Sequence, residues 1–175
     1  AASDVYKRQI YRLSKSSQVI SSLINAAKNG KKVFVQIELQ ARFDEKNNIQ
    51  FATKLEAAGV QITFGIPGLK VHSKICVIER EENSKVKRYG FISTGNFNEL
   101  TAKVYTDYTL FSADQRIMKE VNKVFNFIEV SYKLKKYKHL IVSPHYTFNA
   151  INRLIDNEIF LHNQGKKTGI KLKLN

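Results

Sequence analysis

Two periods alternate along this chain. Between positions 14 and 30 apolar residues return every three or four places, setting Val19, Ile20, Leu23, Ile24 and Ala27 on one helical face. Ser14 or Ser16 stands where a cap belongs, and Asn29-Gly30 supplies the stop. The run from Lys32 to Glu38 then reads as a buried strand. Asp44 is placed to cap a second helix that ends at Ala57-Ala58-Gly59, and Val60 to Phe64 forms the strand after it. Two further strands, Ser73 to Arg80 and Val86 to Ser93, flank the polar turn Glu81-Glu82-Asn83-Ser84 and are expected to pair as a hairpin. Asp107 to Phe111 reads as another strand. Asp114 caps a helix carrying Ile117, Met118, Val121, Val124, Phe125 and Ile128, and a last helix is expected from near Pro144 to Asn163. Helices and strands in this alternation predict an α/β fold.

The hairpin decides where the chemistry falls. Lys70-Val71-His72-Ser73-Lys74 enters one strand and Ser93-Thr94-Gly95-Asn96-Phe97-Asn98 leaves its antiparallel partner, so both segments meet at one sheet edge. On an extended strand His72 and Lys74 point one way and Ser73 the other. An imidazole nitrogen can attack phosphorus while a fixed ammonium neutralises the phosphate oxygens. Gly95 lets backbone approach an anion, and Asn96 and Asn98 carry amide donors. Gln40 and Arg42 follow the Lys32 to Glu38 strand at its carboxyl end, where open α/β sheets place ligands. By spacing alone His72 fits a packed core residue better than a nucleophile; the company of the second motif tips the reading.

Charge narrows the partner. The 175 residues carry a formal net charge of +14, which calls for a polyanion: nucleic acid, an anionic membrane surface or linear polyphosphate. Lys133, Lys135, Lys136 and Lys138, interleaved with Tyr132 and Tyr137, read as a solvated connection rather than a specific nucleic-acid patch. No apolar run approaches about 20 residues and no secretory leader is visible, so a cytoplasmic enzyme is expected, with peripheral membrane association left open by the charge. The single cysteine, Cys76, excludes an internal disulfide and a cysteine-based zinc cluster, and alternation places it as a packing neighbour of the site. His139, His145 and His162 read as capping or solvated, and Glu79 as a strand-end charge.

Longer motifs add a resemblance. Glu38-Leu39-Gln40-Ala41-Arg42-Phe43-Asp44-Glu45, Pro67-Gly68-Leu69-Lys70-Val71-His72-Ser73-Lys74, Thr94-Gly95-Asn96-Phe97-Asn98, Leu100-Thr101-Ala102 and Tyr105-Thr106-Asp107 resemble, in order, motifs of the polyphosphate kinase family. The resemblance runs from about Ile10 to the last residue. It implies a phospholipase D-like mixed sheet flanked by helices, and a reversible transfer of the terminal phosphoryl group of ATP to inorganic polyphosphate through a phosphohistidine. His72 matches the phosphorylated histidine, with Lys74 and Asn96 holding the transferred group. Tyr105 matches a tyrosine that contacts nucleotide, and Arg12 and Arg42 match two arginines of the magnesium-phosphate site. A guanidinium has no acceptor atom, so Arg12 and Arg42 would reach Mg²⁺ indirectly, through the phosphate oxygens that coordinate it. Phe91 stands where some members carry a second histidine.

The same resemblance implies a piece of a longer enzyme. Positions 10–139 correspond to the first phospholipase D-like catalytic domain and 140–175 to the start of a second, with Gly169 to Leu174 as its opening strand. The family's other catalytic histidine and a nucleotide-binding arginine would lie beyond Asn175, so the piece is expected to be inactive alone. ATP or ADP, polyphosphate, the missing domains and further copies in a homo-oligomer are the implied partners. Ala1 to Gln9 fall outside the resemblance and read as translated adaptor, so 1–9 are expected to be a non-native leader outside the fold. Two other classes stay open. A non-catalytic polyanion-binding module would use the same cations, and a phospholipase D-type phosphodiesterase would need a second H-x-K motif.

Overall fold

The computed structural model describes residues 3–130 and 135–172, and the chain separates into two compact units, 1–135 and 136–175. The first unit is built on a six-stranded sheet. Its strands are β1 (Ser3–Ile10), β2 (Lys32–Ile37), β3 (Gln61–Phe64), β4 (Lys74–Glu82), β5 (Lys85–Ser93) and β6 (Thr109–Ser112), in the spatial order β3-β2-β1-β4-β5-β6. β1, β2 and β3 run parallel, and β4, β5 and β6 add on antiparallel, which makes the sheet mixed.

Two helices, α1 (Gln18–Lys28) and α2 (Glu45–Glu56), cover one face of the parallel half. Val33, Val35 and Ile37 of β2 point to that face by strand alternation and join Ile10, Ile20, Leu23, Phe51, Ala52 and Leu55 in one core. Burying Ile20 and Leu23 contributes roughly 1.5–3 kcal/mol each. The α1 cap is Ser17, whose hydroxyl accepts from the Val19 amide, rather than Ser14 or Ser16. The opposite face takes α4 (Gln115–Glu129), where Phe125 meets Phe34 edge-on at 6.1 Å. Gly90 is required under this helix, because a Cβ there would lie 2.0 Å from the Cys76 carbonyl oxygen.

The amino end departs from the sequence expectation. Ser3–Ile10, set aside there as leader in all but its last residue, is a central strand paired on both sides. Its polar residues hid it. Arg8 is buried with its guanidinium carbon 4.4 Å from the Phe91 ring centre and 4.5 Å from that of Phe97, and buried Gln9 donates to the Val71 carbonyl. Rings and hydrogen bonds here do what apolar side chains usually do in a central strand.

The hairpin forms as expected, with Asn83 and Ser84 both at positive φ in a two-residue turn. A short helix unforeseen in the sequence, α3 (Glu99–Ala102), follows β5, capped by Asn98. In the second unit α5 (Thr147–Asn163) buries none of its residues, although its apolar positions recur at helical spacing. Gly169 to Leu172 are not in a strand, and the rest of that expected strand, like Tyr132 and Lys133 of the basic run, lies outside the described residues. Among the described residues no helix is long and apolar enough to cross a membrane.

Candidate active site

Sheet direction gathers the site. β1 and β2 are parallel, so Tyr11-Arg12 and the loop from Glu38 to Asp44 leave the sheet at the same edge. β4 runs against β1, which brings its first residues to that edge, with Lys74 opposite Ser93 of β5. β6 pairs Thr109 with Ser93, so Asp107 and Tyr108 arrive there too.

His72 and Lys74 do not share a strand face. β4 begins at Lys74, and His72 lies in the segment before it, so the alternation argument does not reach the histidine. His72 is exposed, whereas Lys74 is 5 % exposed and its ammonium donates to the His72 carbonyl oxygen at 2.6 Å. Tyr11 joins them: its ring meets the imidazole edge-on at 4.5 Å and lies 4.9 Å from the Lys74 ammonium. Nothing in the sequence singles out Tyr11 beyond its place beside Arg12.

Both groups titrate low. Partial desolvation first, then the positive charges of Lys74, Lys70 and Arg12, hold the His72 pKa below its ordinary value. Its neutral form, with a free nitrogen lone pair, is therefore favoured near neutral pH. Lys74 is lowered to about 8, chiefly by burial and further by Arg12, against the opposing pull of the Asp107 carboxylate.

Arg12 and Arg42 sit on adjoining segments. Arg12 pairs through Nε with the Asp44 carboxylate and donates from Nη2 to the Arg42 carbonyl oxygen at 2.8 Å. That pairing diverts Asp44, which occupies the N-cap position of α2 without making a side-chain cap. Arg42 is exposed, its guanidinium carbon 4.8 Å from the Phe43 ring centre. Both side chains are donors only and suit phosphate oxygens rather than a cation. Among the described residues no cluster of three or more histidine, cysteine, aspartate or glutamate side chains could itself hold a metal ion.

Beside this cluster lies a groove of about 660 Å³, lined among others by Ser17, Gly95, Asn96, Glu99, Tyr105 and Asp107. Asn96 has a buried side-chain oxygen with no hydrogen-bond partner. Asn98, expected as a donor, spends its side-chain oxygen on the Leu100 and Thr101 amides as the α3 cap. Gly95 is needed because a Cβ there would fall 2.2 Å from the Asp107 carboxyl carbon, and that carboxylate accepts from the Thr94 hydroxyl at 2.9 Å. Of the six expected site residues, Asn96 and Tyr105 line the groove while His72, Lys74, Arg12 and Arg42 do not. Asp107 links the two parts, lining the groove and acting electrostatically on Lys74. Cys76 is a free thiol whose pKa burial pushes up, in keeping with packing rather than reactivity.

Comparison with known proteins bears on the family and the fold. Residues 2–134 match the family model described as polyphosphate kinase C-terminal domain 1. The chain is 52% identical over 169 residues to the polyphosphate kinase of Escherichia coli (strain K12), covering 97% of this chain and 25% of that protein. The Yersinia pestis polyphosphate kinase is likewise 52% identical, with coverage of 97% and 25%. The crystal structure of polyphosphate kinase from Porphyromonas gingivalis superposes with a TM-score of 0.82 at 35% identity, covering 95% of this chain and 28% of that one. The chain thus spans about a quarter of the length of the curated relatives it matches.

Proposed function

The chain belongs to the polyphosphate kinase family, and from that premise we propose that it carries the phosphoryl-accepting part of a longer enzyme that exchanges phosphoryl groups between ATP and inorganic polyphosphate. Neutral His72 attacks the terminal phosphorus of ATP through an imidazole nitrogen. The P–N bond forms as the P–O bond to the leaving ADP breaks. A terminal oxygen of polyphosphate then takes the phosphoryl group, and the reverse sequence makes ATP. Transfers of this kind ask a protein mainly for positioning and charge stabilisation.

One observation carries the reading: an exposed imidazole with a lowered pKa stands on the same aromatic ring as a buried ammonium. Lys74, Arg12 and Arg42 spread the charge on the phosphate oxygens, Asn96 offers its amide from the groove, and Tyr105 supports the base of the nucleotide. Mg²⁺ enters as part of the nucleotide substrate, held by phosphate oxygens that the two guanidinium groups orient. With β1 included, positions 2–139 are taken as the first phospholipase D-like domain and 140–175 as the beginning of a second, whose remainder and the rest of a homo-oligomeric enzyme complete the activity.

The test uses the full-length enzyme. His72→Ala should give no acid-labile phosphohistidine after incubation with labelled ATP, and retained label would exclude His72 as the acceptor. Polyphosphate binding by a wild-type enzyme that never takes label would leave a polyanion-binding module instead.

A further inference from the structure

Glu38 follows β2 directly and is 3 % exposed, a carboxylate taken out of water beside the candidate site. Such a group stays buried only if donors replace its hydration. Its two oxygens are used by two different segments. Oε2 accepts from the Val71 amide at 2.8 Å, and Oε1 accepts from the Gln40 amide at 2.9 Å. Val71 precedes His72, and Gln40 lies two residues before Arg42.

Buried side-chain amides tie the backbone of the same segments together. Fully buried Asn48 of α2 donates from Nδ2 to the Glu38 carbonyl oxygen at 2.9 Å and to the Tyr11 carbonyl oxygen at 3.0 Å. Gln9 donates to the Val71 carbonyl oxygen at 3.2 Å, and the Glu38 amide donates to the Ile10 carbonyl oxygen at 3.0 Å. Val71 is therefore gripped at both its N–H and its C=O. The backbone next to His72, to Arg42 and to Arg12 is tied into one hydrogen-bonded unit, and the Glu38 side chain is the part that links the first two.

We propose that Glu38 is a positioning residue for phosphoryl transfer: by bridging the Val71 and Gln40 amides it sets the placement of the His72 imidazole relative to the Arg42 guanidinium. The proposal rests on the reading of His72 as the phosphoryl acceptor. The two amides meet two different oxygens, and a carboxamide offers an acceptor at only one of those two places. Glutamine at this position keeps the volume but turns an NH₂ toward one of the amides, so one segment must move. Aspartate keeps the charge and is too short to span both.

The decisive measurement is the single-turnover rate of His72 phosphorylation by labelled ATP in the full-length enzyme, for wild type, Glu38→Gln, Arg42→Ala and the double variant. Displacing a reacting group by about 1 Å can cost on the order of 100-fold, so Glu38→Gln is expected to slow labelling by roughly 10- to 100-fold. The double variant should be slowed by clearly less than the product of the two single effects, because part of the glutamine effect is a misplaced Arg42. A purely structural role for Glu38 would multiply, and multiplication overturns the proposal, as does wild-type labelling in Glu38→Gln. Should Glu38→Gln not be recovered folded, Glu38→Asp carries the same cycle with the same expectation. A wild-type enzyme that takes no label at His72 would sink the underlying reading instead, whatever the Glu38 variants do.

Discussion

The cluster around His72 and the groove around Tyr105 meet at Asp107 and are electrically opposite. The charges that act on His72 are all positive, from Lys74, Lys70 and Arg12. The groove's charged lining residues are Glu99 and Asp107, with neither lysine nor arginine among them. A ligand bearing repeated phosphates is drawn to the first and repelled by the second, while a flat uncharged base with hydroxyls and amide-like edges fits the second. On the proposed reading a nucleotide lies across the boundary, with its phosphate tail among the cations and its nucleoside in the groove, and polyphosphate approaches from the cationic side. Asp107 is the hinge of this contrast, since the carboxylate that lines the groove also favours the charged form of Lys74.

The contrast breaks hardest if Lys74 is lost. Lys74→Met keeps most of the buried hydrocarbon and removes the ammonium that lies beside the Tyr11 ring and the His72 backbone. Removing one preorganised charge donor typically costs about 3–4 kcal/mol of barrier, so steady-state kcat should fall roughly 10²- to 10³-fold with KM for ATP little changed. A loss confined to KM would place Lys74 in ground-state binding and remove it from the charge-stabilising role.

The pH profile sharpens the same point with a smaller effect. On the proposed reading His72 must be neutral to attack, and its pKa lies below the ordinary histidine value, so protonation suppresses the rate only on the acid side of that lowered value. Lys74 must be charged to stabilise, and it loses its proton as pH rises through about 8. The rate should therefore be full near neutrality and fall by about tenfold for each unit well above the Lys74 pKa. Lys74→Arg, which stays protonated throughout, should abolish that alkaline limb even where it lowers the plateau. An unchanged limb in that variant would assign the titration to another group.

How far the sequence reveals this site depends on what each residue advertises. The helix α1, the β4–β5 hairpin and the meeting of Lys74 with Ser93 at one sheet edge followed from period and turn chemistry, because apolar spacing and a polar turn report local structure directly. β1 did not, since its central position is secured by an arginine stacked on two phenylalanines and a glutamine bonded to backbone, neither of which has an apolar signature. The expected shared face of His72 and Lys74 failed for a similar reason: alternation holds only inside a strand, and β4 starts one residue after Ser73. Tyr11 and Glu38 act through contacts between distant segments, and no local pattern marks them.

The mildest perturbation bears on the groove alone. Tyr105 lines it and is half exposed, so Tyr105→Leu removes an aromatic face without emptying a core or uncovering a charge. Stacking a base on an aromatic ring is worth about 1–3 kcal/mol, and a leucine retains part of that as apolar contact. KM for ATP should therefore rise by roughly 5- to 10-fold, with kcat and KM for polyphosphate held near wild type. The ratio of the two KM changes is the informative quantity, because polyphosphate has no base to stack. Equal increases for both substrates would mean that the phosphate chain also enters the groove, and the electrical division between the two regions would then not sort the substrates.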